Sequence, residues 1–399
     1  MKIAILTSGI LPVPATQGGA VENLIDFYLE YNDRHKLHDI TVYSVTPTTP
    51  SSKKHVARIS DVNHYRYIDS YSWLAKIRKR LYLKLRGGEE PHHYSIEFFL
   101  EQAIKHLRKQ DYDMVIMENR PAYSLKVGKV TDAKMVYHLH NEKLTVNSRH
   151  AKEIYDAASL IICVSDYIAD CVRTISPDDR KCRTVHNGIA LSAFSRQHAA
   201  TIHRSDLGLA EDDFVLVFSG RLNQEKGIRE LIEAMMLLKT HQNIKLLILG
   251  SSFYGHDQSD DPFTVSLKEK ALSLQKQIIF TGFIPYEQIP DYLNLSDLAV
   301  IPSVWNDPFP TTVLEAQAAG LPVIATRRGG IPEEVSTDNA ILLETGDRFV
   351  KDLAHAILDL YEHPEKRSAM SQASLQRSKQ FDKDTYARNF FKALEEGVS

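Results

Sequence analysis

Two acids, Asp307 and Glu315, bracket Phe309, Pro310 and a Thr311–Thr312 pair in "NDPFPTTVLEAQ". Carboxylates accept hydrogen bonds from hydroxyls, while exposed amides at a helix start favour an anion. Earlier in the chain, "FSGRLNQEKGI" offers Arg221 and Lys226 after an apolar run, with Gly220 and Gly227 able to bring backbone close to a ligand. A forked guanidinium and an ammonium together neutralise a diphosphate. A solvated turn with two surface cations is the commoner fate of such residues. Beside the Asp307–Glu315 segment, the phosphate reading is favoured.

The first half carries weaker signals. "QGGAVENL" sets Gly18 and Gly19 before a helix, where backbone can meet a phosphate; an ordinary glycine-rich loop is the plain alternative. "YHLHNEK" ends a strand with His138, His140 and Asn141. Only the outward-reaching residue of a strand end need touch a ligand, so His140 is read as the substrate contact and His138 as structural. Two histidines without a third ligand argue weakly for zinc. The D-x-D at Asp111–Asp113 falls at the amino end of its strand, the wrong end for a ligand. No G-x-G-x-x-G occurs and no acid ends "ITVYSV", which disfavours a nicotinamide dehydrogenase.

These residues need strands to hold them. Short β-branched runs ("KIAILT", "ITVYSV", "DMVIM", "KMVYHL", "SLIICV") alternate with helical patterns, then a second series begins: "FVLVFSG", "IKLLILG", "QIIFTG", "LAVIP" and "PVIAT". Such alternation predicts parallel sheets covered on both faces. Two series predict two Rossmann-like domains facing across a cleft. The stretch from about 46 to 72 reads as irregular, the polar segment 191–213 as a linker, and the tail after Asp347 as mostly helical. The candidate residues all fall where open α/β sheets bind ligands, at the carboxyl ends of strands.

Composition sets the outer bounds. The 399 residues suit two domains, and 43% hydrophobic with 25% charged residues is the balance of a soluble globular chain. A net charge of -3 argues against a generic nucleic-acid binder. Three cysteines without ligand spacing fit a reducing compartment, and the N-terminus reads as a first strand rather than a signal peptide. A cytoplasmic protein is expected. The segment from Trp73 to Arg86 carries six cations and no acid, with Leu74, Ile77, Leu81 and Leu85 on one helical face. It fits an interfacial helix on anionic lipid. A core-facing helix with a basic solvent side is the more common outcome of this pattern.

Together the Gly-Gly loop, the "HN" strand end, "VHNGI", "GRLNQEKG", "FTGF" and the segment through "GGIPEE" resemble the retaining glycosyltransferases of family four, over nearly the whole chain. The resemblance implies the GT-B architecture: residues 1–190 on the acceptor side, 214–378 binding a nucleotide sugar, and a C-terminal helix in 379–399 packing back on the first domain. It implies that Glu315 binds ribose hydroxyls and Asp307 the donor sugar. Amides near Thr311, Thr312 and Val313 would cradle the diphosphate with Arg221 and Lys226. Gly19 would approach the β-phosphate, His140 would face the sugars, and Phe309 and Ile284 would line the donor. The family's E-x7-E reads here as Asp307-x7-Glu315, one methylene short, and Pro310 stands where glycine is frequent and offers no N–H.

The activity implied is transfer from a nucleotide diphosphate sugar, UDP-linked by family frequency, to an acceptor hydroxyl with retention. No metal or other cofactor is implied. A lipid-linked saccharide acceptor in surface-polysaccharide assembly would suit the basic segment. A GT-B-fold nucleotide-sugar epimerase and a non-catalytic nucleotide-sugar-binding protein are the competing readings. Release of free altered sugar would mark the first, and the intact set of charged residues argues against the second.

Overall fold

The computed structural model describes residues 1–16, 19–47, 60–70, 72–73, 75–78, 94–195, 201–251 and 261–398. The chain forms two compact units, Met1–His186 with Tyr386–Ser399, and Asn187–Thr385.

The first unit holds seven strands: β1 (Lys2–Leu6), β2 (Asp39–Val45), β3 (Asn63–Ile68), β4 (Met114–Glu118), β5 (Lys134–Leu139), β6 (Leu160–Cys163) and β7 (Cys182–Thr184). They pair in the order β3-β2-β1-β4-β5-β6-β7, every pair parallel. The inner runs are buried on both faces, which is why "KIAIL" and "LIIC" show no alternation. Helix α1 (Ala20–His35) lays Leu24, Ile25, Tyr28 and Leu29 into the core, the helical spacing its sequence shows. Burying each such side chain stabilises the unit by roughly 1.5–3 kcal/mol. Helix α2 (Tyr94–Leu107) buries Phe98, Phe99, Leu100 and Ala103.

The second unit holds β8 (Phe214–Ser219), β9 (Ile244–Leu249), β10 (Ile278–Gly282), β11 (Leu298–Ile301), β12 (Val323–Thr326) and β13 (Ala340–Leu343), in the parallel order β10-β9-β8-β11-β12-β13. Helices α3 (Ile228–Leu237), α4 (Thr311–Ala318), α5 (Phe349–Glu362) and α6 (Pro364–Ser378) belong to this unit. Residues of α3 and α5 share one apolar core with β8, β9 and β11. Both sheets wind outward from their first strand in both directions. Each therefore has a switch point, between β1 and β4 and between β8 and β11, where a doubly wound sheet opens a crevice at its strand ends.

The last helix, α7 (Lys383–Val398), returns the chain to the first unit. Phe390 stacks on Tyr28 with ring centroids 4.3 Å apart, and Tyr386, Phe391 and Leu394 complete the same core.

Two expectations change. The stretch read as a linker, 191–213, lies in the second unit, whose boundary falls at Asn187 rather than after 190. Arg204 fixes its described residues 201–213 there, donating to the carbonyls of Leu295, Glu211 and Asp213 and to Asp297. The stretch read as irregular contains β3. Its residues are mostly polar and only partly buried, as an edge strand allows, so no apolar run announces it. Of the basic segment, Trp73 and residues 75–78 have helical backbone, and the rest lies outside the described residues. Trp73 is 71% exposed, and Arg78 binds Glu101 at 2.7 Å.

Candidate active site

In the second unit the predicted residues gather at the carboxyl ends of β8, β10 and β11. β8 leads through Gly220 to the exposed Arg221, then to a 3-10 turn at Gln224–Lys226. Asn223 caps this turn by accepting from the Lys226 amide at 3.2 Å. Gly227 ends it at φ 69°, where a β-carbon would lie 1.8 Å from the Pro302 carbonyl oxygen. This glycine is therefore required for packing the turn against the end of β11. The packing carries the Lys226 ammonium onto the Asp307 carboxylate, and the two form an ion pair. The Ser303 hydroxyl lies 3.4 Å from the same carboxylate, and the Gly330 amide donates to the Asp307 carbonyl at 2.8 Å. Asp307 and Lys226, expected on different parts of a donor, here hold each other.

Helix α4 starts behind Pro310, with no side-chain cap. The Val313 amide donates to the Pro310 carbonyl at 3.1 Å. Among the described residues, none accepts from the amides of Thr311 or Thr312, the two donors left at the helix start. Glu315 is buried one turn in. Burial pushes its carboxyl up to about 7, against the opposing hydrogen bonds of Thr311 and Tyr286. Tyr286 follows Ile284 in the turn after β10, so that turn is joined to Glu315 through the tyrosine hydroxyl. The Phe309 ring is packed edge-on to Phe381 at 5.9 Å, and its carbonyl accepts from Asn187 at 3.0 Å. Its side chain is buried in this packing.

Sequence reasoning missed Glu334. It is fully buried, and no described residue donates to either carboxyl oxygen. Burial, Asp307 and Glu333 push its carboxyl well above the ordinary range, against Lys226 and Arg377. A buried carboxyl group biased toward its neutral form thus lies near the ion pair.

In the first unit, β4 and β5 end side by side at Glu118 and His138. Glu118 is fully buried and accepts from the Tyr28 hydroxyl at 2.8 Å. His138 Nδ1 lies 3.0 Å and His140 Nε2 3.2 Å from its Oε2. Burial alone would raise the Glu118 carboxyl; the His138 charge and the bonds from both rings prevail and hold it at about 2. Burial, with His138 adding, lowers His140 to about 4 against the pull of Glu118. His138 is wholly buried, whereas His140 keeps a little exposure. Glu118, His138 and His140 each offer one ligand atom, all within 4.8 Å of one another, so these three could hold a metal ion. Glu118 was missed, although an acid ending the buried run "MVIME" at a strand's carboxyl end is the available signal.

Gly18 lies outside the described residues. Gly19 caps α1 at φ 108°, and a β-carbon there would lie 2.2 Å from Glu22 Oε2. The space at this helix start is taken by the chain's own carboxyl group. Burial raises Glu22 to about 7, with Glu118 and Asp26 adding, against its own backbone amide and Ser8. The approach of Gly19 to a phosphate therefore requires Glu22 to be neutral or displaced. Asp113, at the other end of β4, accepts from the Lys2 amide at 2.6 Å and joins the starts of two strands.

Two family models cover most of the chain. Residues 34–193 match "Glycosyltransferase Family 4", and residues 200–377 match "Glycosyl transferases group 1". YtcC of Bacillus subtilis, which is named as a glycosyltransferase, is 30% identical over 90% of this chain and 84% of its own length. The lipopolysaccharide 1,2-N-acetylglucosaminetransferase of Salmonella typhimurium is 27% identical over 75% and 77%. Among solved structures, Anabaena HepE in complex with UDP-glucose superposes with a TM-score of 0.70 at 20% identity, covering 99% of this chain and all of that one, a likeness of fold. The chain belongs to the glycosyltransferases that join a family 4 domain to a group 1 domain on a GT-B fold.

Proposed function

We propose that this glycosyltransferase moves a sugar from a UDP-sugar to an acceptor hydroxyl with retention of anomeric configuration, in the assembly of a surface polysaccharide or glycoconjugate. The observation that carries the donor reading is the start of α4: two uncommitted amides, at Thr311 and Thr312, stand above the buried Glu315 carboxyl. A diphosphate takes the amides, and ribose hydroxyls take the carboxylate. Arg221 and Lys226 neutralise the charge that grows on the leaving diphosphate, a role preorganised donors and cations fill efficiently. When the diphosphate draws Lys226 away, Asp307 is released to accept from hydroxyls of the donor sugar. The leaving phosphate receives the acceptor's proton on the face from which it departs. No metal is needed in this scheme, because the charge is met by Arg221, Lys226 and the helix start.

The acceptor is proposed to be a saccharide, lipid-linked in the cell, and the protein cytoplasmic and peripheral at the membrane. No described helix is long and apolar enough to cross a membrane. The exposed Trp73 at the head of the basic segment supports contact with the membrane surface. Incubation with UDP-, GDP- and ADP-linked sugars, with thermal shift for binding and NMR of the product anomer for stereochemistry, tests the proposal. Stabilisation by GDP or ADP but not by UDP would refute the nucleotide choice, and an inverted product would refute retention.

A further inference from the structure

The groups around Glu118 constrain the chemistry of His140 as well as its place. An ionised carboxylate only accepts hydrogen bonds. Both oxygens of Glu118 are engaged: Oε1 by the Tyr28 hydroxyl at 2.8 Å and His138 Nδ1 at 3.2 Å, and Oε2 by His140 Nε2 at 3.2 Å, with His138 Nδ1 also 3.0 Å from Oε2. A ring nitrogen held against an acceptor carries the hydrogen. A neutral imidazole has one such hydrogen, so its other nitrogen keeps a lone pair. His140 Nδ1 hydrogen-bonds to no described residue.

The backbone is fixed from the neighbouring residue. Asn119 Oδ1 accepts from the His140 amide at 3.2 Å and from the Asn141 side chain at 2.7 Å. Asn119 itself sits at φ 56°, a left-handed conformation few non-glycine residues adopt, and asparagine is among those that tolerate it. Consecutive residues at the end of β4 thus hold the ring and the backbone of His140.

We propose that Glu118 is a positioning residue that keeps His140 in its Nε2–H tautomer, so that Nδ1 is offered as a hydrogen-bond acceptor to a carbohydrate hydroxyl. The assignment deepens the glycosyl-transfer reading and rests on it for the identity of the ligand. An acceptor nitrogen takes an O–H from a sugar and has nothing to donate to a phosphate oxygen. His140 therefore selects the sugar part of a substrate and not the diphosphate.

The ring nitrogens of the full-length protein report this by 15N NMR, with His140 identified by its loss in His140→Gln. The expected spectrum has a protonated Nε2 and an unprotonated Nδ1. In Glu118→Gln the amide can turn either its oxygen or its NH2 toward the ring, so the single tautomer should become a mixture. Turnover with a UDP-sugar should then fall about tenfold or more, as for loss of an orienting partner elsewhere, while affinity for UDP is kept. A proton on Nδ1 in the wild type overturns the proposal, and that spectrum needs no folded variant. Retention of the pure Nε2–H form in a folded Glu118→Gln also overturns it. So does a stoichiometric divalent metal in the purified protein whose removal by chelation shifts the His140 signals, since Nε2 would then hold the ion. Failure of the wild type to bind UDP while showing the expected tautomer would sink the transferase reading alone.

Discussion

The Lys226 ammonium and the Asp307 carboxylate form an ion pair that ties the turn after β8 to the loop after β11. The side chains are 21% and 7% exposed, so neither charge is readily solvated once the other is removed. Lys226→Met should therefore destabilise the protein by about 1–3 kcal/mol, the cost of an unsatisfied buried group. Adding Asp307→Asn should recover part of the loss. Urea unfolding of the two single variants and the double variant measures the coupling, and simple additivity would mean that the pair contributes no interaction energy.

Nucleotide affinity should depend on pH through Glu315. Ribose hydroxyls require the carboxylate, whereas the unliganded side chain gains its proton as pH falls through about 7. UDP binding should weaken below that pH, by up to about tenfold per unit, and should release a proton. Calorimetry in two buffers of different ionisation enthalpy detects the release. In Glu315→Gln the pH dependence should vanish and affinity should fall, by about 1.5–3 kcal/mol if a charged hydrogen bond is lost. A pH-independent wild type would separate Glu315 from the ribose.

Stability of the unliganded protein should move the opposite way. Glu315 and Glu22 are raised from an ordinary 4.5 to about 7 in the folded state. Between those values the folded chain holds more protons than the unfolded one, so their contribution to stability declines as pH rises across that window. Glu118 has the other sign: its folded value of about 2 gives a contribution present above 4.5 and lost as pH falls toward 2. The melting temperature of Glu315→Gln relative to wild type should therefore rise from about pH 4.5 to pH 7.

Transfer activity should survive EDTA. Complete loss restored by a divalent cation would refute the metal-free scheme, and would direct attention to Glu118, His138 and His140, whose ligand atoms lie within 4.8 Å of one another.

The strands that carry the site were legible because they are buried on both faces, and runs such as "FVLVFS" and "LAVI" have few other fates. β3 was not, since an edge strand with the pattern "NHYRYI" looks polar in sequence. The charges Arg221, Lys226, Asp307 and Glu315 were recognisable by type and neighbourhood. Their partners were not: sequence shows a lysine and an aspartate 81 positions apart, while the contact depends on Gly227 letting one turn lie against Pro302. Glu118 and Glu22 escaped for a related reason. A single acid in a strand or first helical turn is ordinary until the fold removes it from water.

The discontinuity of the first unit bears on how the protein is made. Its core includes Tyr386, Phe390 and Leu394, which the ribosome delivers only after the whole of the second unit has been synthesised. Until then Tyr28 has no Phe390 to stack on, and an apolar face of α1 is open during most of translation. Loss of the segment after Thr385 would therefore strip packing from the amino-terminal unit, not from the carboxyl-terminal one.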